Sequence, residues 1–123
     1  MGAGTSAGGK AKKGGGGGSA MVKKTDNLWQ GKAANGASAM IQRIKVADMD
    51  ASLVREAAVS MGANNATARS AKSAMDYIGG QNATLYRTTR VNKSGKQEGG
   101  GHYTKNITNA KSYANGWLKA NKR

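Results

Sequence analysis

The chain contains no cysteine, no proline and no phenylalanine. Without cysteine, disulfides and thiolate metal centres are excluded. Branched aliphatics are scarce, with four Leu, four Ile and five Val in 123 residues. Such a chain can build only a small, Ala-rich core, and its stability rests on a narrow surplus of burial over chain entropy. Few aliphatics combined with high net charge is also the composition of disorder. No run approaches the roughly 20 apolar residues that span a bilayer, and the N-terminus lacks an apolar stretch of signal-peptide length. The expected location is the cytoplasm, or a virion or nucleoprotein particle assembled there, with no membrane partner. Catalysis finds little support. His102 is the one histidine, and acid–base chemistry needs paired titratable groups in a pocket. Asp48 and Asp50 stand two apart without further ligands, so no metal and no cofactor is expected.

Acidic residues are the other scarcity. Six Asp and Glu face twenty Lys and Arg, a net charge of +14. The excess is uneven. Residues 1–34 carry six cations and one acid, residues 35–79 five and four, and residues 80–123 nine and one. A nearly neutral middle between two basic ends fits a compact unit that meets a polyanion. Nucleic acid is the commonest such partner, because each Lys or Arg set on a phosphate releases a condensed counterion.

Residues 1–20 are low in complexity, with five consecutive glycines at 14–18. Gly loses the most backbone entropy on ordering, so residues 1–34 are expected to form a disordered basic arm carrying Lys10, Lys12, Lys13, Lys23 and Lys24. Leu28 and Trp29 would anchor it. Residues 14–19 also resemble a cloning linker, and Met1-Gly2 with Ser6 matches a myristoylation pattern that a Gly/Ala/Ser-rich tail meets easily.

Residues 35–123 form the expected domain. Ala37, Met40, Ile41 and Ile44 recur at helical spacing. Asp50 is placed to cap a second helix bearing Leu53, Val54, Ala57, Ala58 and Met61, which Gly62 would end. Asn64 or Asn65 would cap a third, with Ala68, Ala71, Met75 and Ile78 as its buried stripe and Gly79-Gly80 as its stop. Residues 84–91 and 102–108 have strand composition around a polar loop at 92–101, which predicts a β-hairpin with a basic tip. Asn109 would cap a last helix whose Ala110, Tyr113, Ala114, Trp117 and Leu118 give the clearest amphipathic pattern in the chain.

The expected fold is therefore mostly α with a small β-hairpin. The order of elements, with Ala58, Gly62 and Ala68 in an A-x3-G-x5-A pattern, resembles the winged helix-turn-helix family. That resemblance implies a recognition helix at residues 64–78, presenting Asn65, Arg69, Lys72 and Ser73 to the major groove. It also implies a wing that brings Arg87, Arg90, Lys93 and Lys96 to phosphate or a minor groove. Lys10, Lys12, Lys13, Lys23 and Lys24 would act as a tether blind to sequence. The function expected is that of a small DNA-binding regulator or accessory protein of a phage or mobile element, with DNA favoured over RNA. The alternative is a small structural component of a virion or ribonucleoprotein that contacts nucleic acid through basic arms. A homodimer or larger assembly could form through the Tyr113/Trp117/Leu118 face.

Overall fold

The computed structural model describes residues 21–122. In chain order the elements are β1 (Val22–Thr25), β2 (Leu28–Lys32), β3 (Ser38–Lys45), α1 (Ala51–Ser60), α2 (Asn65–Ala68), α3 (Ala71–Ile78), β4 (Thr84–Val91), β5 (His102–Thr104) and α4 (Ile107–Ala120). The strands form one antiparallel sheet in the order β1-β2-β3-β4-β5. It is a meander interrupted once, between β3 and β4, by an insertion carrying α1, α2 and α3. The fold is mixed α/β, a five-stranded sheet with four helices. It replaces the mostly α, winged helix-turn-helix arrangement expected from the sequence.

The reversal originates in residues 37–45. β3 pairs with β2 on one side and with β4 on the other, in an eight-residue register running from Ser38↔Val91 to Lys45↔Thr84. Ala39 and Ile41 enter the core under α4, whereas Ile44 packs against the core under α1 and α3. A central strand covered on both faces carries apolar residues at both parities. The resulting spacing of 37, 40, 41 and 44 imitates a helical stripe. Residues 22–32, assigned to the arm from sequence, supply β1 and β2. Trp29, buried among the α4 core residues, fixes them there.

The insertion follows its local signals. Asp50 caps α1, its Oδ1 accepting from the Leu53 N–H at 2.8 Å. Asn64 caps α2, accepting from the Thr67 N–H at 2.8 Å. Residues 64–78 are nevertheless not one helix. α2 is a single turn, and Ser70 takes an extended conformation and accepts from the Ser73 N–H at 3.2 Å to start α3 afresh. A serine hydroxyl competes for backbone groups in this way and favours caps over helix interiors. Ala74 and Ile78 are the buried positions of α3, in place of the expected stripe that began at Ala68. Gly79 ends α3 at φ +113°, and a Cβ there would meet the Lys105 Nζ at 2.8 Å and the Ala83 Cβ at 3.1 Å. Replacing Asp50 with Ala should cost about 1 kcal/mol of stability in urea unfolding, since it orphans a first-turn N–H.

Two cores hold the sheet. Val46, Val54, Ala57, Ala58, Ala74, Ile78, Leu85 and Tyr103 join the insertion to one end of one face. Trp29, Ile41, Ala110, Ala114 and Leu118 join α4 to the other face. Alanine at the contacts lets the helices approach closely, which is how a chain poor in Leu and Ile packs at all. The Tyr113/Trp117/Leu118 face of α4 is occupied by this packing. Trp117 donates its indole N–H to the carbonyls of Ser38 (3.0 Å) and Val91 (3.3 Å).

Candidate nucleic-acid interface

Strand register arranges the face opposite α4 in rows, because side chains two apart share a face. The row nearest the β2–β3 turn holds Lys32, Ser38 and Val91. The next holds Val22, Gln30, Met40 and Thr89. The third holds Leu28, Gln42, Arg87 and Tyr103. α1 engages the third row. The Tyr103 hydroxyl donates to Glu56 Oε2 at 2.9 Å, and Arg87 reaches the same oxygen at 3.9 Å. Burial, then the bond to Glu56, pushes the Tyr103 phenol above its ordinary range, so it stays protonated. The first two rows form an open depression of about 510 Å³, with Lys24 and Lys32 among its lining residues. Val22 is 54% exposed at its margin. The aromatics of this part of the sheet, Trp29 and Tyr86, meet edge to face on the α4 side.

Five lysines gather at one end of the sheet. There the β2–β3 turn meets the C-terminal end of α4. Asn35 donates its side-chain amide to Asn121 Oδ1 at 3.1 Å, and Trp117 ties α4 to the adjoining ends of β3 and β4. Lys32, Lys93, Lys96, Lys119 and Lys122 lie on these segments and on the β4–β5 loop that begins there, and all five are exposed. The acid in this region, Glu98, is half-buried and accepts from Asn92 Nδ2 at 2.7 Å. Asn92 also shapes the loop, its Oδ1 accepting from the N–H groups of Ser94 (2.9 Å) and Lys96 (3.1 Å). The other acids lie elsewhere: Asp26 in the β1–β2 turn, Asp48 beyond the far end of β3, and Asp50, Glu56 and Asp76 on or beside the insertion helices. Arg43 and Lys45 at the far end of β3 and Lys105 after β5 are exposed as well, so it is the acids that are kept away from the five-lysine end.

The residues singled out from sequence separate into groups. Lys10, Lys12 and Lys13 lie outside the described residues. Lys23 and Lys24 belong to β1. Lys23 sits 3.6 Å from Asp26 and 5.9 Å from the Trp29 ring centroid, and Lys24 faces the depression. Asn65, Arg69, Lys72 and Ser73 are exposed, but they are divided among α2, the break after it and α3, so no continuous recognition helix presents them. Arg87 and Arg90, expected at the hairpin tip, lie within β4. Three residues apart on a strand, they point to opposite faces. Arg87 is engaged by Glu56. Arg90 stacks over Tyr113 (5.5 Å) and Trp117 (5.2 Å) and donates to the Glu98 carbonyl at 3.1 Å. Both arginines hold the fold together. Lys93 and Lys96 do occupy the loop, as expected. Sequence reasoning missed Gln30, Lys32, Met40, Lys119 and Lys122. Alternation in LWQGK was the available signal for β2, whereas only the fold brings α4's last lysines beside it.

His102 lies behind this end, stacked on Tyr113 with ring centroids 3.9 Å apart and planes 10° from parallel. Its Nδ1 is buried without a hydrogen-bond partner. Burial, then the nearby Arg90 charge, holds its pKa below 6.5. The unfolded chain therefore takes up this proton first as pH falls. The stability that neutral His102 contributes is complete above pH 6.5 and is lost as pH drops from there toward the folded-state value. The melting temperature should decline over that window, and His102→Phe should flatten the decline.

No protein-family model matches the chain, and comparison with curated proteins and with solved structures gives no match. Among the described residues no group of three His, Cys, Asp or Glu is placed to hold a metal ion, and no helix is long and apolar enough to cross a membrane.

Proposed function

We propose that this protein binds duplex nucleic acid, DNA in preference to RNA, through the open face of β2–β3–β4 and the lysine-rich end of the sheet. The observation that carries this reading is a lysine cluster with little acid beside it: five exposed lysines gather at one end, where the neighbouring acid is already hydrogen-bonded. Cations assembled on one side repel one another unless a polyanion screens them. The shape supports a duplex. Three of the five strands, about 4.8 Å apart, span about 10 Å between their outer axes, on the scale of a B-form major groove about 12 Å wide, with β1 and β5 left at its rims. The A-form RNA major groove is too narrow for side chains to read. The open rows of the sheet lack aromatic side chains, and binding of single strands depends on such stacking platforms.

Fluorescence anisotropy with duplex DNA, duplex RNA and single-stranded DNA of one length and sequence tests this. The expected order places duplex DNA tightest. Equal or tighter binding of single strands would contradict the proposal.

A further inference from the structure

We infer that Gln30 reads an adenine edge in the major groove, with Met40 beside it on the methyl group of a neighbouring thymine. This rests on the proposed duplex binding and makes it sequence-selective. Gln30 lies at the exposed part of the second row, directly across from Met40 in register and away from the buried Thr89. Its Nε2 approaches the Met40 Sδ at 4.0 Å, so the carboxamide and thioether share one patch of the face. Gln30 is exposed and Met40 half-buried. A carboxamide offers one donor and one acceptor side by side, matching adenine N7 and N6–H, while an apolar side chain suits the thymine methyl. Lys24 and Lys32 lie along the same depression. A lysine there pairs with phosphate as a point charge and fixes the position of the strands without itself reading sequence. Rows on one face repeat about every 6.7 Å, close to two base-pair steps, so the sheet and the groove keep a common spacing over these two rows. Gln42 is the other candidate reader on this face. It is less suited, because its row neighbour Arg87 is drawn to Glu56 beneath α1.

The test is selection of the full chain against a randomised duplex DNA library, followed by affinity measurements on enriched and scrambled duplexes. Wild-type protein should enrich a motif with adenine at a fixed position. Gln30→Ala should lower the ratio of motif to scrambled-duplex affinity by about tenfold or more. Gln30→Arg should shift the fixed position toward guanine, and circular dichroism should show both variants folded. A motif unchanged by either folded variant would overturn the inference. Salt-sensitive duplex binding with no enriched motif would overturn it too, but would leave the proposed function standing. Absence of duplex binding would overturn both. Self-association that protects Gln30 and Met40 from solvent would also overturn the inference, because a second copy would then occupy the face.

Discussion

Replacing Lys32, Lys93 and Lys96 together with Ala should weaken binding to any duplex by about a hundredfold at roughly 0.15 M salt. Each phosphate contact contributes about 0.9 to the slope of log affinity against log salt, so three contacts account for a slope change of about 2.7. The melting temperature should hardly move. All three residues are exposed, and surface substitutions of this kind usually change stability by about 0.5 kcal/mol or less. The matched control is Arg69→Ala with Lys72→Ala on the insertion. That pair removes nearly as much formal charge from a different part of the fold, and should change affinity less than about fivefold by its general electrostatic effect. Equal losses from the two sets would mean that net charge alone governs binding, with no localised surface.

The second large effect concerns stability. Trp117→Ala should cost about 3 kcal/mol, the low end for large core side chains because the ring is only partly buried, and small domains of this kind have about 5–15 kcal/mol in total. Three roles converge on the indole. It packs with the α4 core, donates to the carbonyls of Ser38 and Val91, and forms one side of the stack around the Arg90 guanidinium, 5.2 Å away. With the ring removed, two β-strand ends lose their link to α4, and Arg90 keeps only Tyr113 as an aromatic neighbour. Trp117→Phe retains a ring and loses the donor, so it should cost less, about 1–2 kcal/mol. Urea unfolding of the two variants measures the difference. A loss below about 1 kcal/mol for the alanine variant would show that α4 is held chiefly by Ala110, Ala114 and Leu118.

Legibility of the fold followed the origin of each signal. Where a structure is set by its own few residues, sequence reading succeeded. The Asp50 cap, the positive-φ Gly62 and Gly79, the strand composition of residues 84–91 and the amphipathic α4 all depend on local chemistry. Where tertiary context decides, it failed. β3 carries apolar residues for two different cores, and its merged pattern has the period of a helix. β1 and β2 lie in a Lys- and Gly-bearing segment whose apolar anchors are few, and pairing of β2 to β3 and of β1 to β2 is what gives them strand geometry. The break between α2 and α3 rests on one serine hydroxyl, a weak feature within an Ala-rich run. The candidate surface was legible in its chemistry and not in its location. Cations at both ends of the chain pointed to a polyanion, and Lys93 and Lys96 were rightly placed in the loop. Lys32, Lys119 and Lys122 join them only because the sheet and α4 bring distant segments to one end.

The most direct measurement is an amide chemical-shift map of the isotopically labelled full chain on addition of a duplex DNA. The account predicts shifts clustered at Gln30, Lys32, Ser38, Met40, Lys93 and Lys96, with the amides of α2 and α3 little changed. Shifts confined to residues 65–78, with the sheet face silent, would contradict it.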